Sequence, residues 1–181
     1  LFKFLMFIGY IVVISFMPDI RRVFQYHGAE HKTIHAFEKG GMVTAATARS
    51  CSRLHPRCGT TFLLFVLSVA IVLHAVLVPL LLMVWDPSSA LVRHAGIVCF
   101  KILLIAPVSA LAYEIIRYAA TLKNGFWGGM LRAPGLFLQL LTTREPDDDQ
   151  LEVAVVALRE ALGPDSPYAG RFESPDPIVM E

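Results

Sequence analysis

Between Thr61 and Trp85 the chain runs without a single Asp, Glu, Lys or Arg. As a helix rising ~1.5 Å per residue, this stretch exceeds the ~30 Å hydrocarbon core of a bilayer. Lipid offers no partners to backbone N–H and C=O groups, so such a run has to be helical if it crosses a membrane. A second stretch, Ala95–Ala119, carries Lys101 near one end and Glu114 and Arg117 near the other. A third, Leu1–Met17, has Lys3 as its only charge and reaches ~25 Å as a helix, slightly short of a full span. The chain opens on Leu1 inside this run and is read as a fragment whose upstream residues complete the span. Trp85 serves as an interfacial anchor, and Asp86-Pro87-Ser88-Ser89 makes a hairpin loop between the second and third stretches. With 55% apolar and only 17% charged residues, the composition lies outside that of ordinary soluble domains. The expected fold is all-α: a polytopic membrane helical bundle of about three transmembrane helices, with additional cytoplasmic helices.

Loop charge sets the expected orientation. Arg21, Arg22, Lys32, Lys39, Arg49, Arg53 and Arg57 lie between the first two runs, and Lys123, Arg132 and Arg144 follow the third. The short hairpin offers only Arg93. The positive-inside rule then places residues 18–60 and the C-terminal region in the cytoplasm of a multi-pass protein of the cell's inner membrane, with the bilayer as its partner. A net charge of +1, without a basic stripe interleaved with aromatics, argues against nucleic acid. Three cysteines, Cys51, Cys58 and Cys99, make no disulfide framework and fit a reducing compartment.

Within the 18–60 loop, His27-Gly28-Ala29-Glu30-His31 spells H-x-x-E-H, the inverted zinc-hydrolase pattern. Positions i, i+3 and i+4 share a helix face, so His27, Glu30 and His31 converge. Neutral imidazoles are ligands for zinc or another divalent metal, and the carboxylate of Glu30 is suited to act as general base. A chain of this composition contains about 0.01 such matches by chance.

Topology brings further candidates to the same side of the membrane. His55 and Cys58, with Cys51 nearby, have metal-ligand chemistry at loop-compatible spacing; the alternative is a helix cap in which Pro56 and Gly59 shape the turn. Glu114, an ionisable residue in an apolar span, is a functional-site candidate by default. It could supply the third metal ligand, as a downstream glutamate does in inverted zinc hydrolases, or pair with Arg117 at i+3. Arg57 or Arg117 could stabilise a developing oxyanion. His35 continues the histidine row at i+4 but reads more simply, with Glu38, as part of a helix end before Lys39-Gly40-Gly41. His74 reads as a buried histidine with a backbone partner, Lys101 as a snorkelling side chain, and Cys99 as a small apolar residue.

Residues 1–146 therefore form the expected membrane domain, including the 18–60 motif loop and an interfacial segment at 126–141, where Pro134 and the glycines argue against one long helix. Residues 147–163 make an amphipathic helix opened by Asp147-Asp148-Asp149-Gln150 and stopped by Gly163-Pro164, a surface for a protein partner. The 164–181 tail, rich in Pro, Ser and acid, is expected to be poorly ordered.

Three runs carry a resemblance: residues 17–32 around the H-x-x-E-H motif, His55-Pro56-Arg57-Cys58-Gly59-Thr60, and Leu141-Thr142-Thr143-Arg144-Glu145-Pro146. On these the chain, up to about Leu162, resembles the bacterial YqhQ-like family of membrane proteins, a domain-of-unknown-function family described as predicted metal-dependent enzymes. The resemblance implies a membrane location and a metal. A glycine-rich N-terminal segment associated with the family is absent here. The leading expectation is a membrane-embedded hydrolase of peptides or other amides, with His27 and His31 holding the metal and Glu114 or His55 and Cys58 completing its shell. A non-catalytic scaffold clamped by metal is the alternative. A metal or proton transport component, drawing on Glu114, His74 and Lys101, ranks third, because three spans make a thin pathway without a homo-oligomer.

Overall fold

A computed structural model describes residues 2–122 and 125–172; Lys123 of the charge count and residues 173–181 of the tail lie outside the described residues. The described residues form α1 (Phe2–Ile14), α2 (Pro18–Glu38), α3 (Ala45–Arg49), α4 (Gly59–Val84), α5 (Ala90–Leu103), α6 (Ile105–Thr121), α7 (Phe126–Thr142), α8 (Asp148–Leu162) and a 3-10 turn at Ala169–Arg171. No β-strand occurs among them, and the all-α expectation holds. Two compact units partition the chain. One gathers the described residues within Leu1–Phe4 and Pro56–Leu138, the other those within Leu5–His55 and Gln139–Glu181.

The first unit carries the spans. At 26 residues, α4 is long enough to cross a membrane, and α5 with α6 make a second candidate, Ala90–Ala119, of 30 residues. Pro107 has no N–H for the carbonyl of Leu103, which accounts for the junction of the two helices at Leu104. Large apolar side chains such as Leu63, Val72, Val76, Val98, Ile102 and Ile105 stand exposed along these helices. That surface is suited to lipid, not water. The buried contacts are small or close-packed: Leu64, Val108 and Ala112. Arg93 pairs with Asp86 at 2.9 Å in the hairpin. Against expectation, residues 126–142 form one helix through Pro134. Gly135 packs so closely on Thr61 that an added Cβ would collide with its side chain.

The first run differs from the expected 1–17 span. α1 ends at Ile14, and α2 departs at 100° to it, so among the described residues two helices are long and apolar enough to cross a membrane, or three if this bent pair counts as one span. Pro18 opens α2 with Asp19 in its first turn, as suits a helix N-terminus.

In the second unit, α2 packs on α3 and α8 around Ala29, Ala36, Val43, Ala48, Cys51, Leu151 and Phe172. The side chains of Asp147 and Gln150 form a reciprocal capping box at the start of α8, and Gly163, at φ +81°, ends it in a conformation that favours glycine. Arg49 pairs with Asp148 between α3 and α8. The apolar face of α8, including Ala154, Val155 and Leu158, packs against this core. On the same helix Val153 and Val156 stand exposed. Residues 164–172 also differ from the poorly ordered tail expected there. Val43 and Phe172 form a β-bridge, Phe172 is buried, and Arg171 lies 4.5 Å over the ring of Phe37 while donating to its carbonyl at 2.6 Å. One aromatic and one arginine supply the anchor that the Pro- and Ser-rich composition hides.

Candidate metal centre

In α2 the i, i+4, i+8 spacing sets His27, His31 and His35 in a row on one side, and the segment before Pro56 brings His55 to it. The ring centroids of His27 and His31 are 4.4 Å apart, those of His35 and His55 4.6 Å, and those of His31 and His55 5.9 Å. Each ring of the row meets a backbone carbonyl. His27 Nδ1 donates to Thr142 O at 2.9 Å, His31 Nδ1 to Arg53 O at 2.6 Å, and His35 Nε2 to Leu54 O at 2.9 Å. A carbonyl oxygen only accepts, so the nitrogen facing it carries a proton, and in the neutral form of the ring the other nitrogen is the one that can ligate. This is the arrangement in which ligating histidines are usually held.

Ligand atoms of His35, Glu38 and His55 all lie within 4.8 Å of one another, a spacing able to hold a metal ion. Glu38 Oε2 is 3.4 Å from His55 Nε2. Burial pushes the pKa of His55 below its ordinary value of 6.5; the hydrogen bond and charge of Glu38 oppose this, and His35 and His31 reinforce it. The net result favours neutral imidazole, the form a metal binds.

Supporting contacts surround the row. Gln139, fully buried, accepts the His55 N–H at 2.8 Å and donates to the His55 carbonyl at 2.7 Å. Arg53 donates to both the carbonyl and the hydroxyl of Thr143 at 2.8 Å. Glu145 ties the buried Lys32 at 2.9 Å to Arg53 at 3.4 Å. The run 142–145 therefore holds the histidines in place, although none of its residues is a candidate ligand in this row.

The other sequence candidates are placed as follows. Glu30 is exposed on α2. Cys58 caps α4 in the first unit, buried, with Sγ 3.1 Å from Thr60 Oγ1. Glu114 and Arg117, both exposed on α6, pair with each other at 3.4 Å, which matches the i+3 alternative. Cys51 is buried in the core of the second unit, where Lys39 Nζ approaches its sulfur at 3.3 Å. Cys99 is exposed on α5. His74 Nε2 is buried without a hydrogen-bond partner among the described residues. His35 and Glu38, which the sequence reads more simply as a helix end, belong with His55 to a possible ligand group of the second unit. Their i, i+3 spacing beyond His31 was the available signal. Gln139 left a weaker one, a lone amide in an apolar run.

Comparison with known proteins agrees with the resemblance. The chain is 38% identical over 162 residues to a Bacillus subtilis (strain 168) protein named Uncharacterized protein YqhQ, covering 90% of this chain and 47% of that one. It thus spans about half the length of the curated relative it matches. No solved structure matches it. The family model described as Protein of unknown function (DUF1385) matches residues 1–164, taking in α1 to α8 and every histidine of the cluster. The chain belongs to the DUF1385 family.

Proposed function

We propose that the second unit is a divalent-metal centre, with zinc the first candidate, and that the protein is a metal-dependent hydrolase of peptides or other amides at the cytoplasmic face of the inner membrane. The observation that carries this reading is the row of imidazoles, each with one nitrogen committed to a backbone carbonyl, beside the ligand group His35, Glu38 and His55. Nitrogen and carboxylate oxygen donors suit zinc. When bound, the ion would act as a Lewis acid toward a substrate carbonyl and toward water. In this reading His35, Glu38 and His55 bind, His27 and His31 offer their Nε2 atoms, and the exposed Glu30 takes up and returns the proton. The cytoplasmic assignment rests on the basic residues flanking the spans.

Metal analysis of the purified full chain tests the proposal. About one ion per chain is expected, lost in His35→Ala and His55→Ala, whereas Glu30→Gln keeps the metal and loses amide hydrolysis. Absence of stoichiometric metal from the wild type would overturn it. A second reading, a structural clamp, draws on the carbonyls of Arg53, Leu54 and Thr142, which the rings tie to α2 from two distant segments. There Glu30→Gln is silent and His27→Ala lowers the melting temperature.

A further inference from the structure

We propose that the pocket where α4 begins and α6 ends binds the phosphate headgroup of an anionic membrane phospholipid. The cavity, about 790 Å³, lies within the first unit and is lined by Arg57, Arg117 and Arg132 with Phe62, Tyr113 and Ile116. Among the described lining residues three are arginines and none carries a carboxylate, a charge balance that suits an anion. Guanidinium forks match phosphate oxygens in pairs, and their charge is independent of pH. Arg132 is steadied by its own helix, Nε donating to Gly128 O at 3.0 Å. Arg117 meets Glu114 at 3.4 Å in a pair exposed on both sides, an interaction weak enough for a phosphate to displace.

Location selects the lipid. The lining comes from residues 56–62 at the start of α4, from the last turns of α6 and from Arg132 of α7, at the ends of the two apolar helices, where a spanning chain would meet the headgroups. Phe62, Tyr113 and Ile116 give the lining an apolar part, and Leu63 and Leu111 of the same two helices are exposed, as acyl chains would require. Cys58 stands at the N-cap of α4 with Sγ 3.1 Å from Thr60 Oγ1, and the space beside Gly59 is open. The positive end of a 26-residue helix therefore adds to the field of the arginines.

Native mass spectrometry of the full chain tests this, after incubation in detergent with equal amounts of dioleoyl phosphatidylglycerol and dioleoyl phosphatidylcholine. One phosphatidylglycerol is expected to be retained, preferred about tenfold or more over phosphatidylcholine. In Arg57→Gln/Arg132→Gln that preference falls roughly tenfold, and Lys at both positions restores part of it. The single exposed change Arg117→Gln gives the same direction of effect and keeps the test readable should the double variant not fold. Equal retention of the two lipids, or undiminished preference in the Gln variants, overturns the proposal. Displacement of the lipid by equimolar inorganic phosphate would assign the site to free phosphate and overturn the choice of lipid.

Discussion

Gln139 grips the peptide of His55 from both sides, accepting its N–H and donating to its carbonyl from a fully buried position. Gln139→Leu removes both bonds and leaves the two backbone groups without these partners, a loss of about 2–4 kcal/mol at the usual cost of buried unpaired groups. Thermal unfolding in detergent should show the drop, together with weaker metal retention; an unchanged melting curve would mean the clamp does not position His55. The same histidine sets a pH dependence. Its folded-state pKa lies below the 6.5 of the unfolded chain, so the unfolded form binds the proton more readily. In metal-free protein this contribution is fully present above pH ~6.5 and is lost as pH falls toward the depressed folded value. His55→Asn should flatten that acid limb in melting curves. At this scale the H-x-x-E-H letters disclosed the row, because helical periodicity is local. The acceptors Arg53, Leu54 and Thr142 were not legible, because a backbone carbonyl has no sequence signature and its position is a tertiary fact.

Among the elements, α2 does most to set the site, and Gly28 shows how closely it is held. Arg144 N–H donates to Phe24 O at 2.8 Å, and the Arg144 carbonyl lies where a Cβ on residue 28 would stand. The glycine in the motif's second position is thus a packing requirement. Gly28→Ala should cost about 1–3 kcal/mol, since backbone must move to admit the methyl. For a chain of this size that corresponds to a fall of several degrees in melting temperature, about 2–4 °C per kcal/mol. A neutral result would mean that the 142–145 run is free to retreat from α2. Element positions were readable where periodicity or uninterrupted apolarity was strong. The 61–85 run became α4, and the 95–119 run became α5 and α6 with an added turn at the start. Two readings failed for one reason. Pro134 within α7 and the Pro- and Ser-rich 164–172 segment both look unfavourable locally, and both are held by distant contacts, Gly135 on Thr61 and Phe172 on Val43. Local preference yields to packing when a tertiary contact is available.

For the whole molecule, the testable consequence is topology. If α4 and the Ala90–Ala119 helix both cross the bilayer, the chain before Gly59 and the chain after Thr121 emerge on one side, with the 85–89 hairpin on the other. Arg21, Arg22, Arg49, Arg53 and Arg144 all lie outside the hairpin, and the positive-inside rule assigns their side to the cytoplasm. Alkaline phosphatase fused within the hairpin after Ser88 should therefore be active in a bacterial host, and the same fusion after Phe172 inactive, while green fluorescent protein gives the reverse pattern. The bent pair α1 and α2 does not alter this outcome, because it precedes α4. Phosphatase activity after Phe172 would place the histidine cluster outside the cytoplasm. It would then refute the cytoplasmic assignment of the hydrolase while leaving the metal chemistry of His35, Glu38 and His55 to be judged by metal analysis alone.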